Sequence, residues 1–235
     1  KPQSSDETPA SPGTAREDET KAVYSFPAAI SNIVNTSIQR LIDYQDGKYA
    51  QNYLEKLNRV HQIDIRHGGD AEAWALSSAV GKHLALWLSY EDTIRVADLK
   101  IRESRFERSR DEVRAGDQEI VYLTEFMHPR IEEVADTLPA GLGRWLLKSE
   151  NLKTWITSAL LKERKIHTSK LSGFLILYTL ASLRKFRRRT LRFQVEQQRI
   201  DDWLRRIEST AVRDYALAVE IAQCQKLVKG YSDTH

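Results

Sequence analysis

The sequence contains a single cysteine, Cys224, among its 235 residues. One thiol excludes an intramolecular disulfide framework, and it excludes a zinc or iron–sulfur site built only from cysteines of this chain. A lone thiol also fits a reducing compartment. Because Cys224 falls near an apolar helical stripe, we expect it to be a buried core thiol rather than a reactive nucleophile.

Glycine, proline and long apolar runs are also scarce. Ten glycines and six prolines are too few for a collagen-like or wholly disordered chain. The longest charge-free run extends from Leu171 to Leu183, and at ~1.5 Å per residue it is too short to cross a hydrocarbon layer of ~30 Å. This run predicts a buried core helix. Because residues 1–21 also lack the apolar segment of a secretory signal, we expect a cytoplasmic protein with no membrane partner.

Motifs that carry known catalytic chemistry are absent or incomplete. Gly141-Leu142-Gly143 is the one Gly-x-Gly, but no strand precedes it and Leu146 stands where a dinucleotide fingerprint has glycine, so it indicates a turn beside a helix. Six histidines are scattered without the spacing of a metal site. We therefore predict no catalytic, cofactor-binding or metal-ligating residue in these 235 residues.

Helical periodicity dominates the sequence after about Phe26. Apolar residues recur at i, i+3, i+4 and i+7, which predicts an all-α, multi-helix bundle-like domain over residues 23–235. Residues 1–22 are rich in Ser, Thr, Pro, Glu and Asp and predict a disordered N-terminal linker. Since the chain begins at Lys1 instead of a methionine, we interpret it as a fragment of a longer protein.

Local signals refine this helical pattern. Asp46-Gly47 predicts a break between two helices, and Asp70 predicts an N-cap for the helix that carries Leu76 and Leu88. The segment 119–126 (EIVYLTEF) is rich in β-forming residues and predicts a short strand or extended connector. Residues 90–114 predict one helix, and three more are expected over residues 169–188, 190–209 and 211–229.

Charge is distributed unevenly along the chain. The formal net charge is only +3, yet residues 160–193 contain ten bases and one acid, Glu163. Such a basic segment steers acidic proteins, phosphates or nucleic acids. The candidate contact residues are six bases within this segment and four residues of the C-terminal tail: Arg184, Lys185, Arg187, Arg188, Arg189, Arg192, Lys229, Tyr231, Asp233 and His235.

Two interpretations of these bases remain open from the residues alone. They could contact a partner, with Phe186 stacking, or they could complement the dipole at a helix C-terminus. A protein partner is favoured over nucleic acid. For the candidate contact residues of the C-terminal tail, the alternative to a partner contact is that Gly230 caps a helix and that the sequence ends at an arbitrary point after it.

Five long segments resemble one family in their order and character. They are residues 41–54 (LIDYQDGKYAQNYL), 90–100 (YEDTIRVADLK), 124–147 (TEFMHPRIEEVADTLPAGLGRWLL), 184–204 (RKFRRRTLRFQVEQQRIDDWL) and 214–235 (DYALAVEIAQCQKLVKGYSDTH). Together they resemble the helical C-terminal region of the indolepyruvate:ferredoxin oxidoreductase beta-subunit-like family. The resemblance rests on whole segments and not on a catalytic signature.

The resemblance implies a subunit of a 2-oxoacid oxidoreductase. In such a complex, an N-terminal gamma-type domain, which this chain lacks, precedes the helical region. The thiamine-bearing alpha subunit holds thiamine diphosphate, Mg and 4Fe-4S clusters. The complex converts aryl pyruvates such as indolepyruvate to aryl-acetyl-CoA and passes electrons to ferredoxin or another acceptor. The family implies no catalytic residue in this region.

These expectations define two hypotheses for the function. The first is a non-catalytic helical domain that supports assembly of the oxidoreductase, with the basic segment contacting the alpha subunit. In a variant of it, the same bases hold a CoA phosphate or the oxoacid carboxylate. The second hypothesis is a stand-alone basic helical module that binds an acidic protein or nucleic acid.

Overall fold

A computed structural model describes residues 24–116, 118–127, 130–160 and 164–227. The predicted linker, residues 1–22, lies outside these ranges. The described part contains eleven α-helices and one two-stranded antiparallel sheet, which confirms the all-α prediction. None of its helices has the length and apolar character that crossing a bilayer requires.

The elements follow one another with short connections. Two 3-10 helices, at Leu183–Arg189 and Gln225–Leu227, each directly follow an α-helix. The α-helices and strands in chain order are α1 (Ala28–Tyr44), α2 (Gly47–Arg66), α3 (Ala75–Leu88), α4 (Thr93–Lys100), α5 (Glu103–Glu112), β1 (Thr124–Met127), α6 (Ile131–Thr137), α7 (Ala140–Lys148), α8 (Glu150–Leu160), β2 (Arg164–His167), α9 (Leu171–Ser182), α10 (Leu191–Ala211) and α11 (Tyr215–Cys224).

The region predicted as one helical domain consists of two compact units. The first unit is Lys1–Ser89 with Ile200–His235, and the second is Tyr90–Arg199. One boundary therefore follows α3, and the other lies within α10.

Helix α3 forms the centre of the first unit, where it packs against α1, α2 and α11. The apolar stripe predicted for this helix is confirmed at Leu76, Val80, Leu84 and Leu88, which are completely buried, whereas its fifth member, Trp87, is half-buried. Each such leucine contributes about 1.5–3 kcal/mol through burial. The hydroxyl of Tyr53, on α2, donates to the carbonyl of Gly81 at 3.1 Å and fixes the position of α2 against α3.

The predicted break at Asp46-Gly47 is confirmed, whereas the predicted cap at Asp70 is wrong. Asp46 accepts a hydrogen bond from the Tyr49 amide at 2.8 Å and begins α2. Asp70 is exposed in a turn, and α3 begins only at Ala75. The backbone between them passes through positive φ at Trp74 (61°), so a helix cannot start earlier.

A buried carboxylate from α2, Asp64, caps α3 instead. It accepts from the Ser77 amide at 2.8 Å, from the Ser77 hydroxyl at 2.5 Å and from the Tyr215 hydroxyl at 2.8 Å. The Tyr215 oxygen in turn accepts from the Leu76 amide at 3.3 Å. Two otherwise unpaired amides of the first turn of α3 are thereby satisfied. Burial, followed by the hydrogen bond to Asp64, raises the pKa of Tyr215 to about 12.

In the second unit, α4 packs against α9 and against the 3-10 helix Leu183–Arg189. The residues predicted as one helix over 90–114 form two, α4 and α5, because the chain turns at Ile101 and Arg102. The predicted strand is confirmed for its last residues. Strand β1 pairs antiparallel with β2, with Thr124 opposite His167.

Strand β1 also carries a buried charge. Glu125 forms ion pairs with Lys100 and Arg105, from α4 and α5. Burial raises the pKa of Glu125, but the hydrogen bonds and positive charges of the two bases outweigh it and lower the pKa overall. The glutamate therefore ties the sheet to the end of α4.

Removal of the buried cap should destabilise the protein strongly. Asp64→Ala leaves the Ser77 amide and the Tyr215 hydroxyl without their acceptor, so we expect a loss of about 3 kcal/mol in the free energy of unfolding. Urea unfolding measures this loss. Asp70→Ala, in the exposed turn, is the matched control and should change the value by less than about 0.5 kcal/mol. Equal losses in both variants would contradict the capping role of Asp64.

Stability should fall as the pH is lowered from about 7 to about 5.5. Burial lowers the pKa of His61 below its usual value, and the nearby charge of Asp64 offsets this only in part. The unfolded chain therefore binds a proton near pH ~6.5 that the folded protein does not yet bind. His61→Gln should reduce this pH dependence in urea titrations, and His83, whose pKa burial also lowers, should account for the remainder. His67→Gln, at an exposed site, should retain it in full. Identical slopes in all three proteins would refute the assignment.

Candidate interaction surface

The predicted basic segment follows α9 as a 3-10 helix, Leu183–Arg189, and does not continue as the expected α-helix. Its bases differ in exposure. Lys185 and Arg189 are exposed, Arg184 and Arg188 are half-buried, and Arg187 is buried. The sequence therefore overstates how many of these charges face solvent.

Arg187 is part of the internal structure of the second unit. Its Nε lies 2.8 Å from Asp92 Oδ2 and its Nη2 lies 3.1 Å from Oδ1, so the ion pair is bidentate. Only 2% of the arginine side chain and 10% of the aspartate side chain are exposed. Asp92 also accepts from the Arg95 amide at 2.6 Å and thereby caps α4. The pair connects the 3-10 helix to the first turn of α4, and its guanidinium is buried.

Arg192 is likewise engaged inside the second unit. Its guanidinium lies 2.8 Å from Glu196 and 3.5 Å from Asp136, and it lies over the ring of Tyr90 at 5.6 Å from the centroid. Burial raises the pKa of Asp136, and the charge of Arg192 counteracts that shift. Glu196, on α10, is buried, and its charge is compensated by Arg192 and by Arg199, which lies 3.5 Å from it.

The four remaining candidates, Lys229, Tyr231, Asp233 and His235, lie outside the described residues. Within the described ranges, the structure leaves Lys185 and Arg189 as the most exposed of the predicted contact bases. The exposed ring of Phe186 lies between them in sequence. Their prediction as partner contacts remains a prediction.

Helix α9 is the feature that sequence reasoning misjudged. We expected a buried core helix, but Gly173 and Leu177 are its only buried residues. Close packing explains the first of these, because a Cβ on Gly173 would clash with the carbonyl oxygen of His167. The large apolar side chains on the opposite side are exposed: Leu171 (75%), Leu175 (49%), Ile176 (49%) and Tyr178 (54%).

These side chains form a continuous row along the helix. Leu171, Phe174, Leu175 and Tyr178 stand at i, i+3, i+4 and i+7, which places them on one helical face. Phe174 is half-buried and stacks on Tyr178 with the ring centroids 6.2 Å apart. We call these four residues the α9 seam.

The second unit concentrates exposed apolar side chains beyond the α9 seam. Trp145, on α7, and Trp155, on α8, are about 60% exposed. Thirteen of the eighteen exposed large hydrophobic residues in the described part of the chain belong to this unit: Val113, Ile120, Tyr122, Phe126, Leu142, Trp145, Trp155, Leu171, Leu175, Ile176, Tyr178, Phe186 and Val195. Large exposed apolar areas on soluble proteins mark interaction sites.

The first unit contains a serine, a histidine and an aspartate in contact, but their order does not suit catalysis. The Ser77 hydroxyl lies between Asp64 and His61, at 2.5 and 2.9 Å, whereas a nucleophilic serine needs the histidine in the middle. All three are buried, with the His61 ring against Phe26 and Trp74. The cluster caps α3 and fills the core.

The single cysteine lies elsewhere than we expected. Cys224 is exposed at the end of α11, so the prediction of a buried thiol is wrong. Across the ranges that the structure describes, no three His, Cys, Asp or Glu side chains converge as a metal site would require.

Comparison with protein families identifies the class of this chain. The model of DUF6537, a family of unknown function, matches residues 30–235. The chain therefore belongs to the DUF6537 family. No curated protein and no solved structure shows a significant match to it.

The free energy of unfolding of two variants tests whether Arg187 has a structural role that the exposed Arg189 lacks. Arg187→Ala leaves the largely buried carboxylate of Asp92 without its counter-charge, and we expect it to lower the free energy of unfolding by about 3 kcal/mol. Arg189→Ala, at an exposed position, should change it by less than about 0.5 kcal/mol. Chemical denaturation measures both.

A compensating variant sharpens this comparison. Arg187→Met combined with Asp92→Asn removes both charges but keeps a side chain that can cap α4. It should be more stable than Arg187→Met alone. If the double variant is the less stable of the two, the ion pair does not account for the effect.

Proposed function

We propose that this chain is the helical, non-catalytic domain of an indolepyruvate, or aryl pyruvate, oxidoreductase beta-like subunit. Its role is to assemble with the thiamine-bearing alpha subunit, and the reaction takes place elsewhere in the complex. The five segments that resemble this family support the assignment. The observation that carries the assembly role is the exposed α9 seam, with exposed bases before and after it.

The proposal separates the chemistry from this domain. Thiamine diphosphate, Mg and the 4Fe-4S clusters belong to the alpha subunit, and ferredoxin or another acceptor receives the electrons. The complex would oxidatively decarboxylate aryl pyruvates to aryl-acetyl-CoA in the cytoplasm. The helical domain contributes surface only, which agrees with the internal roles of Asp64, His61 and Ser77.

The second unit is the better candidate for the contact. It carries most of the exposed large apolar side chains, and it also carries Lys185 and Arg189. Apolar area supplies most of the free energy of a stable interface, while exposed charges raise the rate of encounter. Both contributions are present on one unit of the chain.

The proposed assembly is tested by co-elution with the alpha subunit at physiological salt. Lys185→Glu combined with Arg189→Glu should weaken the complex, because it reverses two exposed charges without touching the Arg187–Asp92 pair. Arg206→Glu combined with Arg213→Glu is the matched control, since it makes the same charge change at exposed sites of the first unit. The control variant should co-elute like the unmodified chain.

Two outcomes would reject the proposal. Elution of the unmodified chain apart from the alpha subunit would remove its basis, and equal weakening by both double variants would make the effect one of net charge alone. Random-sequence duplex DNA belongs in the same experiment. Co-elution with DNA at low salt, lost steeply towards physiological salt, would instead favour a stand-alone basic binding module.

A further inference from the structure

The α9 seam has the geometry of a helix-packing surface. Side chains at i, i+3, i+4 and i+7 form a strip about 100° wide, which is the width that one helix presents to another. Residue Leu177 on the opposite side is completely buried and helps to hold α9 in the second unit. An occupant would therefore lie lengthwise along a helix that is already fixed.

The exposed charges that flank α9 in the sequence are of one sign. Lys165 and Lys170 are exposed before α9, and Lys185 and Arg189 are exposed after it. No acidic residue occurs between Arg164 and Gln194. A partner helix that covers the seam and extends beyond both ends of α9 meets bases on both sides, so acidic residues towards the ends of the partner would be attracted.

These observations specify one occupant. We infer that the α9 seam binds an amphipathic helix of a protein partner, with an apolar face against Leu171, Leu175 and Tyr178 and acidic residues towards the flanking bases. The inference rests on the proposed function only for the identity of the protein that supplies the helix. Docking of an amphipathic helix through anchors at i, i+3, i+4 and i+7 is an established mode of recognition.

The charges argue against a second copy of this chain as the occupant. An antiparallel pair of α9 helices would place Lys170 of one copy beside Lys185 of the other, and a parallel pair would place equal bases side by side. Like charges in contact oppose association.

A membrane surface also fits less well. Membrane-surface helices carry lysine and arginine along their polar face, where the headgroups lie. The bases here stand only beyond the ends of α9, and its other face packs within the second unit. The seam therefore lacks a charged face that runs parallel to its apolar one.

A synthetic peptide tests the occupant directly. The probe is a fluorescein-labelled helix of three heptads with leucine at a and d and glutamate at e and g, so its like charges suppress self-pairing. Anisotropy titration with the chain should give saturable binding. A peptide with lysine at e and g should bind at least about tenfold more weakly, because it meets the same bases with like charge.

Paired variants place the binding on the seam. Leu175→Glu should weaken binding of the acidic peptide by at least about tenfold, since it removes a leucine contact and buries a charge. Leu217→Glu, at a comparably exposed leucine of α11, should leave the affinity unchanged. Circular dichroism confirms that both variants remain helical.

Several results would overturn the inference. They are equal affinity for the two peptides, no saturable binding, or equal loss in the two variants. If the chain binds phosphatidylserine vesicles but not the peptide, and Leu175→Glu abolishes the vesicle binding, the seam is a membrane-binding surface. Dimerisation that depends on Leu175, measured by sedimentation equilibrium, would assign it to a second copy.

The experiment also separates this inference from the proposed function. Peptide binding without any association of the alpha subunit would reject the oxidoreductase assignment and leave the docking seam in place. If the alpha subunit associates with the chain and Leu175→Glu does not weaken this association, the seam is not the contact site. The oxidoreductase assignment would then remain in place.

Discussion

The largely buried ion pair between Arg187 and Asp92 holds the second unit in its arrangement. Asp92 has two tasks, because the same carboxylate caps α4 and receives the guanidinium from the segment after α9. Helix α9 packs on α4, so the pair fixes the C-terminal end of α9 to the helix against which it lies. The side of α9 that faces α4 is thereby determined, and so is the side that faces solvent. Loss of either charge would leave the other uncompensated in a low-dielectric environment.

The exposed seam follows from this arrangement. A helix as apolar as α9 would reduce its exposed area by turning its larger side chains inward. Instead Gly173 and Leu177 occupy the inner side, where a larger residue than glycine would meet the backbone of His167. The close contact at Gly173 and the ion pair at Arg187 act at opposite ends of the helix. Between them they keep the seam exposed to solvent.

Most of the fold could be predicted from the sequence because its signals are local. Helical periodicity indicated the all-α class and the stripe of α3, and Asp46 indicated where α2 begins. The error in the cap of α3 involves a contact that lies beyond the neighbouring residues. Asp70 has the right residue type beside α3, but the cap comes from Asp64, after the chain has turned through positive φ. A pattern of neighbouring residues holds no information about such a contact.

The misjudged burial of α9 and Cys224 has a related cause. Helical periodicity and apolar runs indicate that burial of a surface is favourable. They do not indicate whether the surface that buries it belongs to the same chain. Similarly, six bases in nine residues indicated one basic patch. The structure divides them, because Arg187 and Arg192 neutralise Asp92, Asp136 and Glu196 within the unit.

This division of the bases bears on how a partner would be bound. Lys185 and Arg189 remain exposed, and exposed charges are screened within about 8 Å at physiological salt. They can increase the rate of encounter and set the sign of the partner's charge, but each contributes little to the lifetime of a complex. The lifetime must come from apolar area, at roughly 25 cal/mol for each Å² buried. In the proposed complex, Leu171, Leu175 and Tyr178 would provide that area, so the bases would select the partner and the seam would retain it.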